Sequence, residues 1–412
     1  MSKSFTDLGV SNGVARTLEK RGIAEPFEVQ ARVLPDAIAG RDVLVRSRTG
    51  SGKTLAFAIP IVERVDRNAA SPSALILTPT RELASQVANE LRDIASAKNL
   101  RVAVVYGGVS IREQQRAVAK ANILVATPGR LEDLVNRRMV SLGGITILVL
   151  DEADHMLDMG FAPQVEKLVE RIRSERQTML FSATLDGEVG RIARRYTHQP
   201  VSHEIDAPPA AQDVEHRFVA VGGEQKVDKL ASLLLKKGAG STLVFVRTKH
   251  GADRLAKSLS AHGIRAAAMH GNKSQSQRES ALASFASGRV AALVATDVAA
   301  RGIDVRNVAQ VVNFDAPTDD KSFVHRVGRT GRAGATGISI TFVAPHERVD
   351  VGRMASRLRL EKEFSVEHGF VREERGGQRR NSPQGRRQGP GGRPAHVGRR
   401  SQPERVARRR AG

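Results

Sequence analysis

The segment Arg46-Ser47-Arg48-Thr49-Gly50-Ser51-Gly52-Lys53-Thr54 (RSRTGSGKT) decides the interpretation of this chain. It follows an apolar run at 43–45 and precedes a helix-like run at 55–65. A strand, a glycine-containing loop and a helix in this order make a phosphate site, because backbone N–H groups at a helix N-terminus point toward an anion. Ser47 stands where the pattern G-x-x-x-x-G-K-[ST] has its first glycine, the position least involved in touching phosphate. The segment therefore predicts a nucleotide-phosphate loop.

Each position of this loop has a predicted role. Backbone N–H groups at 50–52 would cradle phosphate, Lys53 would add a positive charge, and Thr54 would offer its hydroxyl to Mg²⁺. Taken alone, the segment could instead form a Gly-Ser turn that binds nothing. The predicted nucleotide-binding stretch is Arg48, Thr49, Gly50, Ser51, Gly52, Lys53 and Thr54.

A second group of candidate catalytic residues follows the apolar run at 145–150. This run leads directly into Asp151-Glu152-Ala153-Asp154. In open α/β sheets, ligands bind at the carboxyl ends of strands. We therefore expect Asp151 to hold Mg²⁺ and Glu152 to position or deprotonate an attacking water. Adjacent carboxylates can also be a solvated helix start, but an apolar strand running directly into them favours a site.

Short β-branched runs alternate with helix-like stretches along the chain, which is the βαβ rhythm of a parallel sheet covered by helices. A Pro/Ala-rich segment at 206–213 (DAPPAAQD) separates two such series. The predicted fold is α/β, with two tandem parallel-sheet domains. The predicted strands lie in 43–45, 74–77, 102–106, 123–126, 145–150 and 178–181, then in 218–221, 242–246, 291–296, 311–314 and 338–343. The predicted bounds are 1–207 and 214–366 for the domains, 208–213 for a linker and 367–412 for a disordered tail.

Composition narrows the class of protein. The 412 residues include no cysteine, which excludes disulfides and thiolate chemistry and suits a cytoplasmic protein. Apolar runs are too short to cross a membrane. The formal net charge is +21, and the segment 371–412 alone has 13 Arg and 3 Glu with no aromatic residue. Such a segment favours a polyanion, most plausibly nucleic acid, or serves only as a solubilising tail.

The tetrapeptide at 151–154 is the naming motif of the DEAD-box RNA helicases, and over about 5–365 the chain resembles this family. Residues 22–30 resemble its Q motif, although Ile23 and Phe27 depart from the usual residues, and Arg48 departs from the family in the phosphate loop. The short basic tail resembles that of the bacterial RhlE-type members. The other matching motifs are PTRELA at 79–84, GG at 107–108, TPGR at 127–130, SAT at 182–184, VFVRT at 244–248, Gln275 with Arg278, ARGID at 300–304 and HRVGRTGR at 325–332.

The resemblance implies two tandem RecA-like domains and roles at the nucleotide. The Gln30 amide would match the N6 and N7 edge of adenine, and Phe5 would stack on the base. Without the motif spacing, Phe5 would be an ordinary apolar anchor near a chain end. Gly302 and Asp304 would contact ATP, with Asp304 accepting from the ribose. Arg329 and Arg332 would reach the γ-phosphate as arginine fingers, although such Arg-Gly-Arg stretches also form solvated basic patches. The expected catalytic set is Lys53, Asp151, Glu152, Arg329 and Arg332.

The resemblance also implies coupling between the domains and RNA binding. RNA contacts would be independent of base sequence, through short polar, backbone-exposing or basic residues. The expected coupling residues are Asp154, Ser182, Thr184, Arg301 and His325. The expected RNA-binding residues are Arg81, Gly108, Thr127, Gly129 and Arg130 in the first domain and Arg278 and Thr296 in the second.

The function expected from this resemblance is that of an ATP-dependent RNA helicase, which uses ATP and Mg²⁺ to separate short RNA duplexes or remodel RNA–protein complexes without processive movement. An ATP-gated RNA clamp and an ATP-dependent DNA translocase are the alternatives. The Q motif and the DEAD tetrapeptide favour RNA. We expect a cytoplasmic monomer, with ribosome-assembly or RNA-decay proteins as candidate partners.

Overall fold

A computed structural model describes residues 3–47, 51–69, 72–205, 214–222, 225–236, 238, 240–300, 308–331 and 336–366. Residues 1–370 belong to one compact unit, and the described part of it contains two parallel sheets. Helices cover both faces of each sheet, which is why most strands are apolar on both sides. The predicted α/β class with two parallel-sheet domains is confirmed. The predicted linker and tail lie outside the described residues, and the domain bounds stay predictions.

The first sheet has seven strands in the order β3-β4-β2-β5-β6-β1-β7, and every pair is parallel. Its strands are β1 (Val43–Arg46), β2 (Ala74–Leu77), β3 (Val102–Val105), β4 (Ile123–Ala126), β5 (Ile147–Asp151), β6 (Gln177–Ser182) and β7 (Val201–Glu204). The accompanying helices are α1 (Asn12–Lys20), α2 (Glu28–Ile38), α3 (Lys53–Arg64), α4 (Arg81–Ala95), α5 (Ile111–Val118), α6 (Pro128–Asn136), α7 (Ala153–Asp158), α8 (Ala162–Val169) and α9 (Gly187–Tyr196).

The second sheet has six strands in the order β10-β11-β9-β12-β13-β8, again with parallel pairs. Its strands are β8 (Val214–Ala220), β9 (Thr242–Phe245), β10 (Ala266–Met269), β11 (Ala292–Ala295), β12 (Gln310–Asn313) and β13 (Gly337–Val343). The helices are α10 (Lys226–Leu234), α11 (Lys249–Ala261), α12 (Gln275–Ala286), α13 (Asp297–Ala300), α14 (Asp320–Val327), α15 (Arg348–Arg357) and α16 (Glu361–Val366).

Eleven of these strands fall in the predicted apolar runs, and two do not. The prediction missed β7, an edge strand with the polar-rich sequence VSHE, and β10, whose sequence AAAM has no β-branched residue. Both strands pair in register with a neighbour, so sheet pairing compensates for weak local preference.

The core of the first sheet includes an edge-to-face pair of aromatic rings. The ring centroids of Phe57 in α3 and Phe181 in β6 are 5.2 Å apart, and both side chains are fully buried. This pair joins the helix that begins at the phosphate loop to the strand that pairs with β1. Packing of these rings therefore holds α3 in place relative to the sheet.

We expect Phe181→Ala to lower the free energy of unfolding by about 3–5 kcal/mol, because it removes a buried ring and leaves a cavity. Urea unfolding followed by circular dichroism measures this loss. Leu235→Ala is the control, since Leu235 is 64 % exposed and its truncation should change stability little. Equal transition midpoints for the two variants would contradict the packing role of Phe181.

Three neighbouring strands bring the predicted site together. β6 lies between β5 and β1, and all three run in the same direction. Their carboxyl ends carry Asp151, Ser182 and Ser47, so residues more than a hundred positions apart meet at one edge of the sheet. This edge is where parallel α/β sheets bind ligands.

Candidate active site

Gly52 is the residue at which the phosphate loop becomes a helix. Its backbone is left-handed (φ 89°, ψ 19°) directly before α3. A Cβ atom there would lie 2.5 Å from the Phe27 ring and 2.7 Å from Gln30 Nε2, so a side chain is excluded by both conformation and space. The second glycine of the motif is therefore required by the local structure.

Ser47 shapes the start of the same loop. Its N–H donates to the Ser182 carbonyl (2.9 Å), its carbonyl accepts from Lys53 Nζ (2.9 Å), and its hydroxyl lies 2.5 Å from the Ser51 hydroxyl. The Ser47 backbone thus ties the loop to β6 and to Lys53, and its small polar side chain contacts Ser51 within the loop, which the pattern alone did not reveal. Thr54 is half-buried in the first turn of α3. Arg48, Thr49 and Gly50 lie outside the described residues.

The acidic pair lies where β5 ends and α7 begins. Asp151 is the last residue of β5, and Glu152 follows it with a left-handed backbone (φ 51°, ψ 50°). Such a conformation is strained for a residue other than glycine and is concentrated at functional sites. The two side chains are only 3 % and 5 % exposed. The structure thus buries two neighbouring carboxylates at the ligand-binding edge.

Their surroundings shift the pKa values of the two carboxyl groups in opposite directions. Burial raises the pKa of Asp151, against the nearby Lys53 ammonium, and the charge of Glu152 raises it further. Burial also acts to raise the pKa of Glu152, but the hydrogen bond from His155 and the charge of Arg329 outweigh it, so the pKa is lowered. Glu152 is therefore ionised at neutral pH, as a proton acceptor must be.

Asp151 has the features of a cation ligand. Its Oδ1 is buried and has no hydrogen-bond partner among the described residues. A buried carboxylate oxygen left in this way is costly unless a ligand satisfies it. A carboxylate oxygen of this kind is a ligand that Mg²⁺ prefers, so Asp151 fits a Mg²⁺ ion.

Gln30 connects the Q motif to the phosphate loop. Its Oε1 accepts from the Phe27 N–H (3.0 Å) and its Nε2 donates to the Gly52 carbonyl (3.0 Å). The side chain is 1 % exposed, and each end of an amide retains one further donor or acceptor for a base. Phe5 is buried in the core of the first sheet, so a base could stack on its ring only after the ring is uncovered. Adenine recognition by these two residues stays a prediction.

The second sheet contributes Arg329 through α14. Arg329 is buried, its Nε donates to the His325 carbonyl (3.3 Å), and its positive charge acts on Glu152 of the first sheet.

Arg326, which the sequence analysis did not single out, holds α14 in place. Arg326 makes a bidentate ion pair with Asp297 (2.6 and 2.7 Å) and also donates to the Asp315 carbonyl. Its only sequence signal was its place beside His325 in the motif.

His325 itself contacts the DEAD segment. Its ring nitrogens both lie 3.3 Å from Nε2 of His155, and the two rings are nearly perpendicular. Burial, followed by the charge of His155, lowers the pKa of His325 to about 4. The bridging role predicted for His325 fits this contact.

In the neighbouring SAT motif, the Ser182 hydroxyl accepts from the Thr184 N–H (3.3 Å).

Several predicted RNA-binding residues lie together. The Arg81 guanidinium lies against Gly107 and Gly108, so closely that a Cβ atom at Gly108 would overlap it. Burial, then the charge of Arg278 and, more weakly, that of Arg130, lowers the pKa of Arg81, against the opposing effect of Glu82. Three arginines from both domains are therefore near one another, which is an electrostatic arrangement suited to phosphate.

Arg278 has a partner that sequence reasoning missed. Its Nε and Nη2 each lie 2.8 Å from a carboxylate oxygen of Glu82, and both side chains are largely buried. The pair joins α12 of the second sheet to α4 of the first, and Lys321 makes a further ion pair across the domains with Asp158 (2.7 Å). Arg278 thus bridges the domains, and its contact with RNA stays a prediction.

The other predicted RNA residues occupy the ends of strands. Thr127 precedes α6 and is buried, Gly129 is exposed in the first turn with open space around it, and Arg130 donates to the Val109 carbonyl (3.0 Å). Thr296 follows β11 and is half-buried. Predicted residues outside the described part are Arg301, Gly302, Asp304 and Arg332.

Comparisons with known proteins agree with this geometry. The DEAD/DEAH box helicase family matches residues 27–192, and the helicase conserved C-terminal domain matches residues 225–334. A helicase core of two RecA-like domains is the class that the fold and site define. The DEAD-box ATP-dependent RNA helicase CshA of Geobacillus kaustophilus is 43 % identical over 346 residues, 84 % of this chain and 74 % of that protein. CshA of Bacillus subtilis is 41 % identical over 84 % of this chain and 71 % of its own length.

Among solved structures, Saccharomyces cerevisiae Dbp5 bound to RNA and ADP BeF3 is 30 % identical with a TM-score of 0.78, covering 89 % of this chain and 95 % of that one. This chain belongs to the DEAD-box ATP-dependent RNA helicases. Both bacterial relatives are CshA helicases, and assignment to the RhlE-type members stays a prediction. Within the described residues, no helix is long and apolar enough to span a membrane.

Proposed function

We propose that the two domains close on ATP and RNA, that closure completes the hydrolytic site, and that the closed state opens a short stretch of duplex or displaces a bound protein. The observation that carries this proposal is the contact of His325, from the second domain, with His155 of the first, whose ring is hydrogen-bonded to the buried Glu152 carboxylate. Hydrolysis would then depend on domain closure.

The nucleotide would be held mainly by the first domain. Lys53 and the N-terminus of α3 would bind the phosphates, and Gln30 would select adenine. Asp151 and Thr54 would hold Mg²⁺, which when bound neutralises phosphate charge. The ionised Glu152 would accept a proton from the attacking water, and Arg329 would stabilise charge on the γ-phosphate.

RNA would lie along the arginines near Gly108 and across to the second domain. Positive charge and exposed backbone recognise the sugar-phosphate chain without reading bases. In support, the yeast relative of similar structure was solved with RNA and a nucleotide analogue. This binding mode predicts little dependence on RNA sequence.

Energetics favour local opening. A clamp of micromolar affinity has about 8 kcal/mol available, and one base-pair step costs roughly 1.4 kcal/mol, so about five steps open per closure. We propose that each ATP therefore supports one local separation, with release of products resetting the clamp. Efficient unwinding of a duplex of several turns without assisted loading would contradict this.

The experiment that tests the function is ATP hydrolysis by the purified full chain without polymer, with single-stranded RNA and with single-stranded DNA. RNA-specific stimulation supports the proposal. Equal stimulation by DNA would indicate a general nucleic-acid translocase. Long-lived RNA binding with little turnover would indicate an ATP-gated clamp.

We also propose that the protein is an RhlE-type helicase, a monomer in the cytoplasm that acts with ribosome-assembly or RNA-decay proteins. The short basic tail supports the RhlE-type assignment, and the absence of cysteine supports the cytoplasmic location.

Removal of residues 371–412 is expected to weaken RNA binding and reduce its salt dependence, because 13 arginines are lost. ATP hydrolysis at saturating RNA should persist, since the motifs lie upstream. Fluorescence anisotropy with labelled RNA at several salt concentrations measures both effects. An unchanged salt slope would assign the segment to solubility or protein contacts.

Glu82→Gln and Arg278→Gln are each expected to raise the RNA concentration needed for half-maximal ATPase stimulation by about tenfold or more, because truncating one member of a buried charge pair costs about 2–5 kcal/mol. The double variant should be little worse than either single one. Arg254→Gln is the matched control, since Arg254 is exposed on α11. If Arg278 only binds RNA, Glu82→Gln will leave stimulation unchanged.

A further inference from the structure

A cluster of possible metal ligands lies beside the nucleotide site and joins the two domains. Asp154, His155 and His325 each offer one ligand atom, and these atoms lie within 4.8 Å of one another. Asp154 and His155 come from α7 of the first domain, and His325 comes from α14 of the second. Asp154 and His325 are predicted to couple the domains, and a metal ion shared with His155 would be a physical link for that coupling.

The first argument is the direction of the His155 ring. Its Nδ1 lies 2.8 Å from Oε2 of Glu152, where it donates a hydrogen bond to the carboxylate. In the neutral ring, Nε2 is then the nitrogen whose lone pair can bind a metal, and it lies 3.3 Å from both ring nitrogens of His325. A carboxylate behind one ring nitrogen is the usual support of a histidine that binds metal through the other.

The second argument is the spacing of the two rings. Nitrogen ligands lie about 2.0–2.1 Å from Zn²⁺, and tetrahedral angles then place two of them about 3.3–3.4 Å apart. The observed separation between the ring nitrogens is 3.3 Å. Because both ring nitrogens of His325 are equally far from Nε2 of His155, the His325 ring must turn to direct one of them at an ion shared with His155.

The third argument is independent of the histidines. Oδ2 of Asp154 is buried and has no hydrogen-bond partner among the described residues, in a side chain that is 3 % exposed overall. A buried carboxylate oxygen in this state is costly without a partner. A cation bound next to His155 would satisfy it.

We propose that Asp154, His155 and His325 form a Zn²⁺ site that links the two domains, and that bound Zn²⁺ holds the enzyme closed. Two imidazoles and one carboxylate are a ligand set that Zn²⁺ favours, and they leave one tetrahedral position for water. Mg²⁺ prefers oxygen ligands, so the magnesium required for ATP does not compete. The site is separate from the one assigned to Asp151 and Thr54.

Two consequences follow from ligands on both domains. Opening the domains must break the coordination of His325 to Zn²⁺. We therefore expect enzyme with bound Zn²⁺ to release its products slowly and to hydrolyse ATP slowly. By thermodynamic linkage, RNA and a nucleotide analogue that favour closure should also tighten Zn²⁺ binding. Zn²⁺ therefore acts as an inhibitor of turnover rather than as a cofactor.

The test is titration of the full chain with Zn²⁺ by calorimetry in excess Mg²⁺, with Co²⁺ as an optical probe of tetrahedral coordination. We expect one ion per chain. His155→Gln and His325→Gln should each weaken binding by about 100-fold or more, and Glu152→Gln by about 10–100-fold through loss of the supporting carboxylate. His262→Gln is the matched control, because His262 is exposed at the end of α11 and its ring contacts Ser258 and Asp228.

Circular dichroism of each variant establishes that it is folded. Binding in both histidine variants within threefold of wild type would overturn the site. If Zn²⁺ binds fully but does not slow RNA-stimulated ATP hydrolysis, the proposal that Zn²⁺ holds the enzyme closed is wrong. Because calorimetry reads the ion directly, the result does not depend on whether the chain is an RNA-dependent ATPase.

Discussion

Arg329→Gln is expected to lower the RNA-stimulated turnover number for ATP by about 10³–10⁵-fold, the range seen when an arginine finger is removed. Arg329 is buried beside His325, and its charge lowers the pKa of Glu152 across the domain boundary. The variant loses a planar cation that should act most strongly when charge builds on the γ-phosphate. ATP affinity should change much less than turnover, because most phosphate contacts are predicted in the first domain.

Single-turnover hydrolysis with saturating RNA, beside equilibrium binding of a fluorescent ATP analogue, separates these two effects. Arg329→Lys keeps the charge but loses the guanidinium fork, so we expect it to recover only a small part of the rate. Arg353→Gln is the control, because Arg353 lies on the exposed face of α15. A rate for Arg329→Gln within tenfold of wild type would show that Arg329 is a structural arginine.

Glu152→Gln is expected to lower ATP turnover by about 10²–10⁴-fold, the usual contribution of a general base, while RNA and ATP still bind. Glutamine has nearly the same size and can still accept the His155 hydrogen bond, so the strained backbone at this position should persist. What it lacks is the negative charge that receives the proton. The substitution thus removes one chemical property and preserves the packing.

Turnover in the presence of RNA, and the lifetime of the RNA complex with ATP, are the two measurements. The variant should hold RNA at least as long as wild type does. The closed state still forms, but ATP is not hydrolysed, so the domains do not reopen. Glu188→Gln is the control, since Glu188 is an exposed glutamate in the first turn of α9. Loss of RNA binding together with turnover would indicate that Glu152 maintains the structure of the site rather than its chemistry.

Much of the first sheet could be predicted because its signals are local. The apolar run before the phosphate loop and the one before Asp151 each form a strand, and the helix-like run at 55–65 lies largely in α3, which begins at Lys53. β10 could not be predicted because alanine has little strand preference, and only its pairing with β11 makes it a strand. Local preference thus located most elements but not their neighbours.

The contacts between domains could not be predicted from any stretch of sequence. Glu82 and Arg278 are 196 residues apart, and His155 and His325 are 170 apart. Nothing near either residue encodes the identity of its partner, because each pair depends on how two separately folded sheets face each other. Arg326 shows the same limit within one domain, since its partner Asp297 comes from a different helix.

The sequence by itself located eleven of the thirteen strands among the described residues and the glycine at the start of α3, because these follow from local backbone preference. It also predicted which residue types would handle phosphate and water, because that follows from side-chain chemistry. Only the tertiary structure decided that β6 lies between β5 and β1, which brings Asp151, Ser182 and Ser47 to one edge. It also decided the ionised state of Glu152, since that state depends on burial and on the charges of His155 and Arg329 supplied by other parts of the fold.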